Sequence, residues 1–148
     1  MLNLDQVCIV TGGGKGIGKG IAKVLDAEGA TVVVAGRSED LLRRTAADIV
    51  AKGGQAAARR LDITDRPGVA AFVQEVRQQF GRIDVLVNNA GLMPMPGNIA
   101  TFDDQLWDDL FAVNATGTYN MTKAVLPAML EKKSGRIKIG RASCRERV

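Results

Sequence analysis

A chain of 148 residues, 46% hydrophobic and 24% charged, has the size and mix of one soluble globular domain with a substantial core. It contains no His, which excludes a Ser–His triad and a His-ligated zinc, and no metal site is expected. The net charge is +4, but Arg141, Arg145 and Arg147 against Glu146 put +2 of it in the last ten residues, so no nucleic-acid-binding stripe is expected.

Apolar runs and helical patterns alternate along the chain, which predicts βα units around a parallel sheet. Residues 6–10 read as a first buried strand, and Cys8 within it reads as a buried thiol acting as a small hydrophobe. A Gly-rich turn follows, then a helix over about 17–28 with Gly29 just past its end. Residues 31–35 form a β-branched second strand. Ser38 is placed to cap a helix reaching about Lys52, with Gly53 and Gly54 closing it. Residues 55–61 read as a weaker third strand. Thr64 or Asp65 can cap the next helix, which has Pro67 in its first turn and Gly81 after its end.

Residues 83–87 are a short, nearly all-apolar fourth strand, followed by a loop over 91–100 that holds Pro94, Pro96 and Gly97. Thr101-Phe102-Asp103-Asp104 has capping-box form with Asp in place of Glu, opening a helix to about Val113. A longer helix is predicted over about 116–131, and Gly135-Arg136-Ile137 enters a fifth strand. The expected architecture is α/β, a Rossmann-type doubly wound parallel sheet in the order 3-2-1-4, truncated after the start of the fifth strand. No stretch approaches the apolar run of a membrane span and residues 1–5 carry no basic leader, so a cytoplasmic protein without membrane contact is expected. Cys144 lies at the far end from Cys8, and no structural disulfide is expected.

The sharpest local feature is Thr11-Gly12-Gly13-Gly14-Lys15-Gly16-Ile17-Gly18 between a strand and a helix. Glycines there let the backbone turn tightly and approach a pyrophosphate, while the helix N-terminus offers free N–H groups. Two phosphate-binding patterns nearly fit. No register gives glycines at i, i+2 and i+5. The pattern GxxxxGK[ST] fits from Gly13 to Lys19, but Gly20 stands where the Mg²⁺-binding hydroxyl belongs, so an ATP-binding P-loop is disfavoured.

Thr11-Gly12-x-x-x-Gly16-Ile17-Gly18 resembles the TGxxxGIG signature of short-chain dehydrogenases/reductases. Asp62-Ile63 after the third strand resembles the pair that holds the adenine ring, and Asn88-Asn89-Ala90-Gly91 matches the NNAG motif beside the cofactor. Val113-Asn114 matches the Asn of the family's Asn-Ser-Tyr-Lys tetrad, and Leu126-Pro127 and Gly135-Arg136-Ile137 fall in the family's order. The resemblance runs over residues 3–137. It implies a cofactor site built from Thr11, Gly12, Gly14, Lys15, Gly16, Ile17, Gly18, Arg37, Ser38, Asp62, Ile63, Asn89, Ala90 and Gly91, with Asn114 catalytic.

Within this family the residue after the second strand reads the adenosine ribose, and an Asp or Glu there repels a 2′-phosphate. Here the strand ends Ala35-Gly36-Arg37-Ser38 without an acid, and Arg37 and Lys15 can both face a phosphate dianion. That favours NADP(H) as cofactor, with NAD(H) the alternative. The resemblance further implies an oxidoreductase acting on a small carbonyl or alcohol, of the 3-oxoacyl-carrier-protein reductase type, within a homo-oligomer.

The tetrad's Ser, Tyr and Lys belong after the fifth strand, so the 148 residues are expected to be inactive alone. Tyr119 and Lys123 match YxxxK literally, but they lie one βα unit too early, and Tyr119 is expected to be a packing residue. Ser143 is one place out of register. Residues 139–148 resemble the translation of a sequencing-library adapter, so residues 1–138 are read as an incomplete NAD(P)-binding domain and 139–148 as a non-native tail. A non-catalytic dinucleotide-binding module is the alternative function.

Overall fold

The computed structural model describes residues 6–94 and 97–140. Pro96 of the predicted loop, and Ser143 and Cys144 of the tail, lie outside the described residues. Five parallel strands form one sheet in the order β3-β2-β1-β4-β5: β1 Val7–Thr11, β2 Thr31–Gly36, β3 Ala56–Arg60, β4 Val85–Asn88 and β5 Arg136–Ile139. Between them run α1 Gly16–Ala27, α2 Glu39–Val50, α3 Arg66–Phe80, α4 Asp104–Phe111 and α5 Thr118–Glu131.

The central strands β1, β2 and β4 are apolar because both faces of the sheet are covered there. Side chains alternate across a strand, and the sequence uses both directions. Val7 and Ile9 of β1, Val33 and Ala35 of β2, and Leu86 of β4 join one core with Phe72 and Val76 of α3 and Met121 and Val125 of α5. Cys8, Val10, Val32, Val34, Val85 and Val87 join the other with Ala22 of α1 and Leu42, Ala46 and Ile49 of α2. Cys8 is fully buried, and that burial, with the nearby Asp84 charge adding to it, pushes its thiol pKa up to about 12, so it remains an inert packing group.

Helix boundaries follow the glycines: Gly29 and Gly81 sit at positive φ just past α1 and α3, as their positions in the sequence predict. The cap readings need correction at three places. Ser38 and Asp65 precede α2 and α3, but neither side chain makes a capping bond. The Thr101 capping box does not form, because residues 99–101 make a 3₁₀ turn. The helix starts one turn fragment later, where Asp103 accepts from the Leu106 N–H at 2.9 Å. The two helices predicted over residues 101–113 and 116–131 are one continuous rod: α4 passes through a π-helical stretch, Ala112–Gly117, directly into α5.

The fifth strand extends further than the start predicted from the sequence. Its four residues pair in register with β4, and Ile139, read from the sequence as tail, pairs with Asn88. At the opposite end of β4 the buried Asp84 ties three elements together. It accepts from the Val7 N–H (2.9 Å), from Arg82 (2.8 and 2.9 Å) and from Lys132 at the end of α5. Burial pushes its carboxyl pKa up, but the bonds from Arg82, Lys132 and Val7 outweigh that and hold it below the ordinary carboxylate value.

Candidate functional site

The strand order reverses at β1: the chain runs outward through β2 and β3, then returns to place β4 on the other side. Loops leaving the C-terminal ends of β1 and β4 therefore diverge, and a crevice opens between them. Here it is a cleft of about 250 Å³, bounded by the loop after β1, the ends of β2 and β3, and the loop after β4.

Its floor is a hydrogen-bonded corner. The Thr11 hydroxyl donates to the Val87 carbonyl (3.4 Å) and accepts from the N–H groups of Asn89 and Ala90 (both 3.0 Å). The Asn89 amide donates back to the carbonyls of Thr11 (3.0 Å) and Gly12 (3.4 Å). The Gly12 N–H bonds to Ala35 of β2 at 2.7 Å, so three strand ends are locked together.

Two glycines are demanded by this packing. Gly12 has φ +67°, and a Cβ there would lie 3.0 Å from the Ala90 Cα. A Cβ on Gly18 would lie 2.2 Å from the Gly12 carbonyl oxygen and 2.5 Å from the Asn89 amide nitrogen. The first turn of α1 is thus seated directly on the loop. Lys15 precedes that turn without a side-chain capping bond, so the cap leaves the first N–H groups of α1 open to an anion.

Gly12, Gly14, Lys15, Arg37, Ser38, Asp62, Ile63, Ala90 and Gly91 line the cleft together. Thr11, Gly18 and Asn89 stand behind them as its frame, while Gly16 and the exposed Ile17 begin α1 outside the lining. No pattern in the sequence marks the apolar wall of Leu41, Leu42, Leu61, Leu92 and Val113, since such residues look like ordinary core. Lys15 and Arg37 are exposed on the rim, giving the cleft a positive edge. Lys19, the lysine of the near-miss P-loop pattern, is instead paired with Asp48 of α2 at 2.8 Å.

Asp62 closes a local turn: its Oδ1 accepts from the Thr64 N–H (2.9 Å) and hydroxyl (2.7 Å). Those two bonds hold its carboxyl pKa below the ordinary value against a smaller opposing effect of burial, and Arg37 adds a weaker pull. Ile63 packs beneath the π stretch, where a Cβ on Gly117 would fall 2.5 Å from its Cδ1, and its carbonyl accepts from the Asn120 amide at 3.0 Å. Asn114 lies in that π stretch rather than opening a helix. Its side-chain amide forms a reciprocal pair with the Leu92 backbone (2.8 and 2.9 Å), fixing the loop after β4.

Tyr119 and Lys123 lie on α5 and line a separate groove against α3. The expectation of a packing role for Tyr119 does not hold. The residue is 51% exposed, with the Lys123 ammonium 5.6 Å from the ring centre. Among the described residues no helix is long and apolar enough to cross a membrane.

A doubly wound parallel sheet with a glycine-framed, basic-rimmed crevice at its switch point is a Rossmann-type arrangement. The chain belongs to the short chain dehydrogenase family, whose model matches residues 6–140. It is similar to the crystal structure of a metagenomic short-chain oxidoreductase in complex with NADP, with a TM-score of 0.87 and 41% identity over 91% of this chain and 61% of that one. It is equally similar to an actinorhodin polyketide ketoreductase variant crystallised with NADPH, at TM-score 0.87 and 42% identity over 94% of this chain and 54% of that one. An uncharacterized oxidoreductase of Staphylococcus aureus is 37% identical over 133 residues, 90% of this chain and 56% of the relative. The chain spans a little over half the length of these relatives.

Proposed function

We propose that the cleft holds NADP(H), and that the chain serves within a cytoplasmic, homo-oligomeric oxidoreductase that interconverts a small carbonyl compound and its alcohol. The observation that carries this reading is the charge at the end of β2. Arg37 and Lys15 stand on the cleft rim, and no acid follows Gly36. An Arg fork suits a phosphate dianion, whereas the diol of an unphosphorylated ribose calls for a carboxylate there. The two relatives crystallised with NADP and NADPH support the same choice.

In this reading Gly12, Gly14 and the uncapped start of α1, with Thr11, Gly16, Ile17 and Gly18 shaping it, would hold the pyrophosphate. Arg37, Lys15 and Ser38 would hold the 2′-phosphate, and Asp62 and Ile63 the adenine. Asn89, Ala90 and Gly91 would flank the remaining ribose. The dinucleotide supplies or accepts the hydride when bound. The chain's own task is to orient it and to exclude water with the Leu61, Leu92 and Val113 wall. Asn114 acts at the catalytic end as a positioning residue, through the loop that it pins at Leu92.

The 148 residues are proposed to bind the dinucleotide without turnover, since Tyr119 and Lys123, the literal YxxxK pair, face another groove. Fluorescence titration of the chain with NADPH and NADH tests the proposal. NADPH should bind at least tenfold more tightly, and Arg37→Asp should abolish that preference while leaving NADH affinity nearly unchanged. Equal loss for both cofactors would remove the phosphate-reading role. Carbonyl reduction that Tyr119→Phe destroys would overturn the assignment of that pair.

A further inference from the structure

One buried hydroxyl beside the cleft has no part in the chemistry above. Thr45 is fully buried on the face of α2 that carries Leu42, Ala46 and Ile49 into the core. A hydroxyl among apolar neighbours is costly unless it is hydrogen-bonded, and this one reaches two acceptors. Its Oγ1 lies 3.1 Å from the Leu41 carbonyl one turn back, the common bond of a Thr inside a helix. It also lies 3.3 Å from the Gly14 carbonyl, 31 residues away in the loop after β1. Among the described residues no other hydrogen bond joins loop residues 13–16 to α2.

The loop comes this close to α2 because Gly14 has no side chain: a Cβ there would lie 3.0 Å from the Leu41 Cβ and 3.2 Å from the Leu42 nitrogen. The two ends of the loop are fixed elsewhere, by the Gly12 N–H on Ala35 and by Gly18 against the Gly12 carbonyl. Between them Gly14 allows either sense of the peptide that follows it. A trans peptide points its C=O and N–H in opposite directions. With the Gly14 carbonyl held on α2, the Lys15 N–H points away from that helix, and the place of Lys15 is fixed with it. The same helix follows directly on Arg37 and Ser38, which share the cleft lining with Lys15. One rigid element therefore carries Arg37 at its start and, through Thr45, holds Lys15 about two turns further along.

We propose that Thr45 is a positioning residue for phosphate reading: its hydroxyl ties Lys15 to the helix that follows Arg37, and so sets the preference for a 2′-phosphorylated dinucleotide. The proposal rests on the reading of the cleft as an NADP(H) site. Thr45 does not line the cleft and acts only through the Gly14–Lys15 peptide. A Thr that merely filled the core would bear on both cofactors alike, whereas one that holds Lys15 bears on the ratio between them.

Thr45→Val and Thr45→Ala both remove the hydroxyl, the first with the shape kept, while Thr45→Ser retains it. Fluorescence titration of the full chain with NADPH and NADH gives the ratio of the two affinities. That ratio should fall about fivefold in Thr45→Val and in Thr45→Ala, the net worth of one ordinary hydrogen bond, and Thr45→Ser should keep the parent ratio. Amide NMR of the free chain should show the Lys15 signal moved in Thr45→Val and in place in Thr45→Ser. In a Lys15→Gln background Thr45→Val should lower the ratio no further, because the effect runs through Lys15. Four results would each overturn the proposal while leaving the reading of the rim intact: equal loss for both cofactors, a ratio that removal of the hydroxyl does not change, a fall in Thr45→Ser as large as in Thr45→Val, or effects that add to those of Lys15→Gln. A parent chain that binds NADPH and NADH equally would instead overturn that reading, and the proposal with it.

Discussion

The two flanks of β4 are built differently. On the β1 side, the C-terminal strand ends are bonded to one another, and the Thr11 hydroxyl alone makes three contacts. On the β5 side, all four residues of the strand are exposed or half-buried, and Ile139 is 69% exposed. There an apolar groove of about 360 Å³ opens between Ile21 and Leu25 of α1 and the strand residues Val85, Val87 and Ile139. The Asn88 side-chain carbonyl, at the end of β4, is buried without a donor. The contrast shows that the cleft is shaped by contacts within residues 7–92 and by the π stretch and α5 residues that hold Leu92 and Ile63, whereas the β5 strand lines none of it. Substitutions on the two sides should therefore separate in magnitude.

The largest effect is expected at Asp84, which joins both flanks. Asp84→Asn removes the charge that Arg82, Lys132 and the Val7 N–H converge on, and should cost about 2–4 kcal/mol in denaturant unfolding at neutral pH. Because the folded-state carboxyl pKa is depressed, the stabilisation is fully present above its ordinary value of 3.8. It is lost as pH falls from there through the lower folded value. The acid limb of the stability profile should be shallower in the variant. An unchanged limb would mean that Asp84 is not the group responsible.

Next comes Gly18→Val, which places atoms within 2.2 Å of the Gly12 carbonyl. Neither neighbour can yield, since one is backbone and the other is the amide that clamps it. The expected cost is about 1–3 kcal/mol of stability, with loss of detectable NADPH binding by titration. Thr11→Val keeps the shape but leaves the N–H groups of Asn89 and Ala90 without their acceptor. It should cost about 1–2 kcal/mol and weaken NADPH binding without abolishing it.

Which parts of this were legible in the sequence follows from the physics of each signal. The central strands and the ends of α1 and α3 were, because the buried parallel strands β1, β2 and β4 are nearly all apolar and Gly29 and Gly81 mark left-handed turns. The π stretch at Ala112–Gly117 was not. It has no propensity signature of its own, and it depends on Gly117 seating against Ile63, a contact between residues far apart in the chain. Charged and glycine residues of the cleft stood out, since their spacing is unusual for structure alone. Leu41, Leu42, Leu61 and Val113 did not, because an apolar residue reads the same in a cleft wall as in a core. The capping box failed because Thr101 was drawn into a 3₁₀ turn with Asn98, leaving Asp103 to cap.

The smallest expected effect is the sharpest measure of the difference between the flanks. Ile9 and Ile139 can each be shortened by one methyl group with the same chemical change. Ile9 is fully buried in the core beneath α3 and α5, so Ile9→Val leaves a space its neighbours cannot fill and should cost about 0.5–1.5 kcal/mol. Ile139 already shows 69% of its surface to solvent, so Ile139→Val should stay within about 0.5 kcal/mol of the parent chain. Urea unfolding of the two variants under one set of conditions gives the comparison directly, with equal m-values confirming that only stability has changed. If Ile139→Val cost as much as Ile9→Val, the groove beside β5 would be covered in solution, and the flank would be part of the core. A cost near zero leaves the half-buried Ile21 and Leu25 and the exposed Ile139 as an uncovered flank, while the cleft keeps its shape without them.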